Sequence, residues 1–145
     1  MLVLSSNEAK KNEITSGVPA AITTAQAILE TGYGRIVPVD IYNGSYSNNL
    51  FGIKAHGSQS FVSTYTHEYI NGVKVKIIDK FIKYDSFEES IAGRTDFFVK
   101  NKRYHFLFNY TDPCDWARGL QEAKYATGPH YADKLINIMR RENLL

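Results

Sequence analysis

The sequence predicts an α+β protein, mostly α, in which a helical body carries a small β lobe. Apolar residues recur at helical spacing in four stretches, around residues 18–30, 86–98, 112–123 and 129–139. One stretch between them, around Asn71-Gly72, instead has the pattern of a β-hairpin. The 145 residues, 43% hydrophobic and 22% charged, have the size and composition of one globular domain, which we assign to residues 1–145.

The first strong element is a helix from about residue 19 to Glu30. Ser16 is a suitable N-cap, and Pro19 fits the first turn, where a missing N–H costs nothing. Gly32 is placed to end the helix, and residues 33–50 have the composition of a loop. The apolar residues at helical spacing are Val18, Ile22, Ala25 and Leu29.

Glu30 stands where this helix ends, which is an unfavourable place for a carboxylate. The last turn carries the negative end of the helix macrodipole, which disfavours a further negative charge. Either Glu30 is an ordinary surface residue, or its position has a chemical use.

A β-hairpin is predicted across the segment STYTHEYINGVKVKII. Asn71-Gly72 is the favoured pair for a two-residue type I′ turn, which pairs Ile70 with Val73 and Glu68 with Val75. Alternation along the strands then puts Glu68 on one face with Ile70, Val73, Val75 and Ile77. Glu68 is therefore a second carboxylate out of pattern, on the apolar face of the hairpin.

Three further helices complete the predicted fold. Ser86 opens the first with a capping box to Glu89, Asp112-Pro113 opens the second, and Pro129 opens the third. The side chains expected to point inward are Ile91, Phe97, Phe98, Trp116, Leu120, Ala123, Ala132, Leu135, Ile136 and Met139.

Glu30 and Glu68 together have what a glycosidase requires. Such an enzyme usually uses a protonated carboxylic acid and an ionised carboxylate on the two sides of the scissile bond. Apolar burial and the helix end would both raise the pKa of Glu30, and Glu68 would approach from the hairpin. Position alone favours the plainer interpretation, in which both residues are exposed surface residues.

Other classes of site lack their sequence patterns. His67-Glu68 begins like a zinc-binding HExxH motif, but Asn71 stands where the second histidine is required. The net charge of +2, without a long run of Lys or Arg, gives no indication of nucleic-acid binding. No apolar stretch reaches the ~20 residues of a membrane span. We therefore expect no metal, no cofactor, no nucleic-acid partner and no membrane contact.

Five blocks, in order, resemble glycoside hydrolase family 73. They are SGVPAAITTAQAILETGYG, NNLFGIKA, THEYING, FIKYDSFEESI and GLQEAKYATGPHYADKLINIM, and together they extend over roughly residues 16 to 140. This family comprises the endo-β-N-acetylglucosaminidase domains of bacterial autolysins, flagellar hydrolases and phage lysins. The resemblance implies a lysozyme-like fold with a groove between an α lobe and a β lobe.

The resemblance also implies catalytic residues. Glu30 matches the family's catalytic acid, in a block where Tyr33 replaces a common Trp. Glu68 matches a β-lobe glutamate with a supporting role. Tyr125 matches the tyrosine of a YATDP-like block, in which Gly128 replaces the usual Asp, so that the following helix should start more weakly. Tyr125 could instead only orient Glu30.

Two residues of the NNLFG block are expected to contact the substrate. They are Asn49 and Phe51, because the resemblance implies that this block lines the groove between the lobes. Core packing at the junction of the lobes is the alternative interpretation of Phe51.

The function implied by the resemblance is hydrolysis of the β-1,4 bond between N-acetylglucosamine and N-acetylmuramic acid in peptidoglycan, with Glu30 as general acid. The alternatives are a lytic transglycosylase or muramidase on the same fold, and a non-catalytic wall-binding module. A carboxyl separation of ~6.5–9.5 Å would favour inversion and ~5–5.5 Å retention. The substrate's acetamido group could also act as the nucleophile.

The expected partner is the peptidoglycan glycan strand, bound by a monomer. The apolar run that follows Met1 is too short for a signal peptide. Action on the wall, in the periplasm or outside the cell, would then require phage lysis, a dedicated secretion system or a larger protein. A secreted effector would imply an immunity protein.

Overall fold

A computed structural model describes the backbone of residues 2–145 and the side chains of residues 6–145. Met1, which the predicted domain includes, lies outside the described residues. Over this range the chain forms five α-helices, one 3-10 helix and a two-stranded antiparallel sheet. In order they are α1 (Leu2–Ser16), α2 (Ala20–Thr31), β1 (Phe61–Ile70), β2 (Val73–Ile82), α3 (Phe87–Lys100), the 3-10 helix (Lys102–Asn109), α4 (Pro113–Glu122) and α5 (Tyr131–Arg141). The prediction of an α+β fold, mostly α, is confirmed.

The helical body is built around α2, which packs against α1, α4 and α5. The apolar stripes predicted for α2, α4 and α5 meet in one core, in which Ile22, Trp116, Leu120 and Leu135 are fully buried. Burial of these large side chains, at ~1.5–3 kcal/mol each, is the main force that holds the three helices together.

Two elements of the body were not predicted. Helix α1 is mostly polar, and Ala9 is the one fully buried side chain among residues 6–16. Its packing on α2 and α3 stabilises it, so no strong apolar stripe is needed. The 3-10 helix is short, and its i→i+3 bonds require no particular apolar period.

The predicted helix starts are confirmed at α3 and α4. Ser86 accepts a hydrogen bond from the Glu89 N–H at 3.1 Å, and Asp112 accepts one from the Cys114 N–H at 2.7 Å. The prediction for Ser16 is wrong, because this residue ends α1 instead of capping α2. Its hydroxyl donates to the Asn12 carbonyl at 2.7 Å, and Pro19 takes the cap position of α2.

The register of the hairpin is the predicted one, with Ile70 opposite Val73 and Glu68 opposite Val75. The apolar face of the hairpin is exposed at the tip, where Ile70 is 53% and Val73 is 62% exposed. The strands pack mainly on each other, so the tip stands away from the helical body. On this face Glu68 forms an ion pair instead of meeting an apolar surface.

Residues 33–60 hold the base of the hairpin. Asp40 is central to this contact, because one carboxylate oxygen accepts from the N–H groups of Tyr42 and Asn43 and the other from Ser63 on β1. These hydrogen bonds lower the pKa of Asp40. The loop and the hairpin together form the second lobe, which confirms the predicted two-lobed fold.

Within the described residues, no helix is both long enough and apolar enough to cross a membrane. Among the same residues, no cluster of three His, Cys, Asp or Glu side chains could hold a metal ion.

Candidate active site

A groove of about 640 Å³ lies between the two lobes. Its walls come from the end of α2, the loop that follows Asn49, the end of β2, α3 and the segment between α4 and α5. The residues that line it include Glu30, Phe51, Gly52, Lys54, Tyr84, Asp96, Phe97 and Tyr125.

Glu30 is the last but one residue of α2, as the sequence predicted. Gly32 ends the helix in the left-handed conformation, with φ of 55°, and its N–H closes on the Ile28 carbonyl. This turn leads the chain away and leaves the Glu30 side chain open to the groove.

The pKa of Glu30 is raised, mainly because the surrounding protein removes water from the carboxyl group. The hydrogen bond from Tyr131 acts in the opposite direction but is the weaker influence. The negative end of α2 also disfavours the ionised form. Glu30 therefore keeps its proton to higher pH than an ordinary glutamate, as a general acid must.

A buried hydrogen-bond chain runs behind Glu30. The Tyr131 hydroxyl donates to Glu30 Oε1 at 3.2 Å and accepts from Gln26 Nε2 at 3.1 Å. Arg94 then donates through Nη1 to Gln26 Oε1 at 2.9 Å and through Nη2 to Thr23 Oγ1 at 2.5 Å. Side chains from α5, α2 and α3 thus meet on the side of the carboxyl group that faces the core.

Arg94 is fully buried, and no carboxylate lies within salt-bridge distance of it among the described side chains. Its guanidinium carbon lies 4.8 Å from the ring centre of Phe51 and 5.2 Å from that of Phe98. Burial lowers its pKa to about 10, which leaves it cationic at neutral pH. Aromatic faces and neutral oxygens therefore stabilise this charge.

Tyr125 lines the groove, as expected of a site residue. Its ring packs against Phe98, Tyr104 and Tyr131, with ring centres 5.8 to 6.2 Å apart. Burial raises the pKa of its hydroxyl, and the charge of Glu30 raises it further. Tyr125 is therefore a neutral aromatic wall close to the candidate acid.

The side chains of Phe51 and Asn49 are both buried beside the groove. Phe51 borders the groove but is only 3% exposed, and it packs in a core cluster with Ala27, Leu50 and Ile91, as the alternative interpretation of core packing expected. Asn49 is 1% exposed and does not line the groove. The Asn49 amide donates to the carbonyls of Ile53 and Ile82 at 2.9 and 3.0 Å, and its oxygen accepts from the N–H groups of Phe51 and Ile53. The expected contact between Asn49 and substrate does not fit this geometry, because its polar atoms already bind the backbone.

Glu68 is not among the residues that line the groove. Its carboxylate lies 3.0 Å from Lys54 Nζ, which also pairs with Asp79 at 2.9 Å. The two acids raise the pKa of Lys54, Asp79 more strongly than Glu68. Lys54 itself lines the groove, so it connects the hairpin acid to the groove wall.

Sequence reasoning did not find Tyr131, Gln26 or Arg94. Signals for two of them were present: Tyr131 lies four residues before Leu135 on the apolar face of α5, and a buried tyrosine hydroxyl needs a partner. Gln26 lies four residues before Glu30 and four after Ile22, so it is a polar residue on an inward face. Nothing in the local sequence distinguishes Arg94 from a surface arginine.

The weaker start expected for α5 is borne out in part. His130 takes the cap position without a side-chain hydrogen bond, but the Ala132 N–H donates to Gln121 Oε1 at 2.8 Å. A side chain from α4 thus satisfies one of the free N–H groups at the start of α5.

A groove between two lobes, an acid of raised pKa at a helix end and aromatic walls define the site of a glycoside hydrolase. The sequence model of the Glucosaminidase family, described as "Mannosyl-glycoprotein endo-beta-N-acetylglucosaminidase", matches residues 6–144. The chain belongs to this family, which confirms the resemblance seen in the five sequence blocks.

Similar proteins agree with this assignment. Peptidoglycan hydrolase FlgJ of Escherichia coli (strain K12) is 39% identical over 128 residues, which are 87% of this chain and 41% of FlgJ. Exo-glucosaminidase LytG of Bacillus subtilis (strain 168) is 34% identical over 129 residues, which are 86% of this chain and 44% of LytG. A peptidoglycan hydrolase mutant from Sphingomonas sp. A1 has a crystal structure that matches with a TM-score of 0.81 at 37% identity, covering 97% of this chain and 94% of that chain. The chain therefore spans about two fifths of the length of these curated relatives.

Proposed function

We propose that residues 1–145 form one catalytic domain that hydrolyses the glycan strand of peptidoglycan as an endo-β-N-acetylglucosaminidase. The observation that carries this proposal is the raised pKa of Glu30 at the edge of an open groove. The names of FlgJ and of the Sphingomonas protein as peptidoglycan hydrolases support the choice of substrate.

Glu30 is the general acid in this proposal. It donates its proton to the glycosidic oxygen as the bond to the N-acetylglucosamine C1 breaks, so that the leaving sugar departs as a neutral alcohol. Phe97 and Tyr125 are half-buried and give the groove apolar ring surface against which pyranose rings can pack. Gly52 opposes Glu30 without a side chain and so leaves room for the sugar.

Glu68 is the proposed second carboxylate. Its ion pair with Lys54, which lines the groove, supports this choice, and the hairpin has few contacts with other elements that would resist a movement toward the substrate. In a closed complex Glu68 would orient the attacking water or the substrate's acetamido group. Until then the ion pair with Lys54 holds the Glu68 carboxylate beside the groove wall.

The open groove supports cleavage within a glycan strand, because a long strand can lie along it. An enzyme that cleaves from the chain end would need a wall that closes one end of the groove. LytG carries the name exo-glucosaminidase, so the position of cleavage has to be measured. The proposed place of action is the cell wall, where relatives named peptidoglycan hydrolase and autolysin find their substrate.

The test is digestion of purified peptidoglycan by the wild type and by Glu30→Gln, with mass spectrometry of the products. We expect new reducing ends on N-acetylglucosamine and a loss of at least about a hundredfold in the variant. Early release of long fragments would indicate internal cleavage, and early release of single repeats would contradict it. 1,6-Anhydromuramic ends would show a transglycosylase, and equal product from both proteins would rule out Glu30 catalysis.

The proposed role of Glu68 is tested with Glu68→Gln, and Asp79→Asn is the matched control. Both carboxylates form an ion pair with Lys54. Both pairs are partly exposed, so Glu68→Gln and Asp79→Asn should each cost less than about 1 kcal/mol of stability. Only Glu68→Gln should lower kcat strongly. Equal activity in the two variants would show that Glu68 only pairs with Lys54.

A further inference from the structure

We infer that Arg94, Gln26 and Tyr131 form a one-way hydrogen-bond chain that keeps the acid proton of Glu30 on Oε2, the oxygen that faces Gly52. This inference rests on the proposed role of Glu30 as general acid. It assigns to the three side chains a positioning role that reaches the substrate through Glu30.

The direction of the chain follows from Arg94. A guanidinium can only donate, so the atom of Gln26 that lies 2.9 Å from Nη1 must be the amide oxygen. The NH₂ group of Gln26 then faces Tyr131 and donates to its hydroxyl at 3.1 Å. A tyrosine hydroxyl has one proton, and with Gln26 as its donor this proton points to Glu30 Oε1 at 3.2 Å.

The consequence falls on the two oxygens of Glu30. Oε1 accepts the Tyr131 proton and so cannot also present its own proton in that direction. The acid proton is left on Oε2, which lies 4.0 Å from the place where a Cβ on Gly52 would stand. Gly52 lines the groove, so the proton is held on the substrate side of the carboxyl group.

The buried charge of Arg94 also stabilises Glu30 after it has given up its proton. Each hydrogen bond in the chain polarises the next, so the positive charge of Arg94 strengthens the hydrogen bond that Glu30 receives from Tyr131. A carboxylate gains more from that bond than a neutral acid does. The chain therefore stabilises the ionised Glu30 that remains when the proton has left.

A purely structural role is the competing explanation, because Arg94 also joins α3 to α2 through Thr23 and Gln26. The substitution Gln26→Glu separates the two roles. It keeps the shape and gives Arg94 a carboxylate partner, so the fold is retained. The new carboxylate has no proton to donate to Tyr131, which can then donate to it instead of to Glu30.

We expect Gln26→Glu to retain its melting temperature and to lose roughly tenfold to a hundredfold in kcat, the value of one hydrogen bond to a charged group. The alkaline limb of its pH–kcat profile should move to higher pH, because Glu30 loses a donor and gains a negative neighbour. The charged or titratable groups that line the groove or belong to the chain around Glu30 are Tyr84, Tyr125, Tyr131, Arg94, Lys54, His56, Asp96 and Lys100. All of them are unchanged in this variant, so a shift in the limb reports on position 26.

The matched control is Gln121→Glu, which makes the same chemical change on α4. Gln121 uses only its oxygen, as acceptor of the Ala132 N–H, so activity and pH profile should stay at wild-type values. Wild-type kcat and profile in Gln26→Glu would overturn the inference. Loss of activity in Glu30→Gln would at the same time leave the proposed function intact.

A measurement without activity keeps the inference testable if Gln26→Glu does not fold. Glu30→Gln is a neutral isostere of the protonated acid, and its amide should adopt the orientation of the acid proton. Nuclear Overhauser effects should connect the introduced NH₂ group to the Gly52 α-protons. Contacts of that NH₂ group with the Tyr131 ring instead would reverse the predicted orientation and overturn the inference.

Discussion

The Tyr131 hydroxyl donates a hydrogen bond to Glu30 Oε1 at 3.2 Å and so joins the first turn of α5 to the last turn of α2. Tyr131 is only 4% exposed, so this bond is formed away from bulk water. It acts against the burial that raises the pKa of Glu30. The pKa of Glu30 is therefore set by two opposing influences: desolvation raises it, and the hydrogen bond from the buried Tyr131 hydroxyl lowers it.

Tyr131→Phe should shift this balance. Without the donor the pKa of Glu30 rises further, so the alkaline limb of the pH–kcat profile should move to higher pH. We expect kcat at neutral pH to fall roughly tenfold to a hundredfold, because the ionised Glu30 loses its stabilising bond. Muropeptide release measured across a pH series would check both effects.

Tyr42→Phe is the control for that experiment. Tyr42 is 75% exposed and does not line the groove, so loss of its hydroxyl should leave activity unchanged. A downward shift of the limb in Tyr131→Phe, or no shift at all, would show that the hydrogen bond does not set the acidity of Glu30.

Glu30→Gln should stabilise the fold at neutral pH. The folded state holds the pKa of Glu30 above the ordinary value of 4.5, so the unfolded chain releases this proton more readily. Wild-type stability therefore falls as pH rises from the ordinary pKa through the raised one, and stays lower above it. The amide variant has no such loss, and its melting temperature should exceed that of the wild type at pH 7 but not at pH 4.

The control for this stability effect is Glu122→Gln. Glu122 also ends a helix, α4, but it is exposed and lies outside the groove. Its substitution should leave the difference between pH 4 and pH 7 as in the wild type. A Glu30→Gln variant that melts no higher than the wild type at pH 7 would contradict burial as the cause of the raised pKa.

The parts of the fold that could be predicted have causes within a few residues of sequence. Asn71-Gly72 defines the hairpin register, and Ser86 and Asp112 cap their helices with side chains that reach two or three residues ahead. Glu30 could be found because it breaks the preference for cations at a helix end. Ser16 was assigned to the wrong helix because its hydroxyl donates to the Asn12 carbonyl, four residues earlier in α1.

The parts that could not be predicted depend on contacts between distant residues. Arg94 meets Gln26 across 68 positions, and Tyr131 meets Glu30 across 101. Asn49 and Phe51 are two residues apart, but only the folded lobe shows that Asn49 binds the backbone and that Phe51 packs in the core beside the groove. Alternation along the strand placed Glu68 correctly on its face but could not show that the tip of the hairpin is exposed.

Asn49→Asp should destabilise the second lobe. The substitution replaces two N–H donors by an oxygen that faces the carbonyls of Ile53 and Ile82, so two buried acceptors lose their partner and meet a negative charge. The loss should be at least about 1–3 kcal/mol, the cost of an unsatisfied buried group. Urea unfolding of the variant would measure it.

Asn109→Asp is a matched control, because Asn109 is exposed at the end of the 3-10 helix. Its unfolding free energy should stay within about 0.5 kcal/mol of the wild type. If Asn49→Asp were as stable as this control, the amide of Asn49 would not be the support of the loop that carries Phe51.

Gly93→Ala should change the groove more than the fold. A Cβ on Gly93 would lie 2.5 Å from the Tyr84 hydroxyl and 2.6 Å from its ring, so the ring must move. Alanine gains up to about 1 kcal/mol of helix propensity on α3, which offsets part of the cost of that movement. Tyr84 lines the groove, so its displacement should raise KM for glycan strands while kcat and the melting temperature change little.

Gly128→Ala tests whether that effect belongs to the contact with Tyr84. A Cβ on Gly128 would meet nothing within 4 Å, and its backbone is not in the left-handed region. We expect wild-type KM from this variant and a raised KM from Gly93→Ala, with glycan strands of defined length as substrate. An unchanged KM in Gly93→Ala would mean that Tyr84 moves without entering the path of the substrate, and the Tyr84 side of the groove would then lie outside the binding surface.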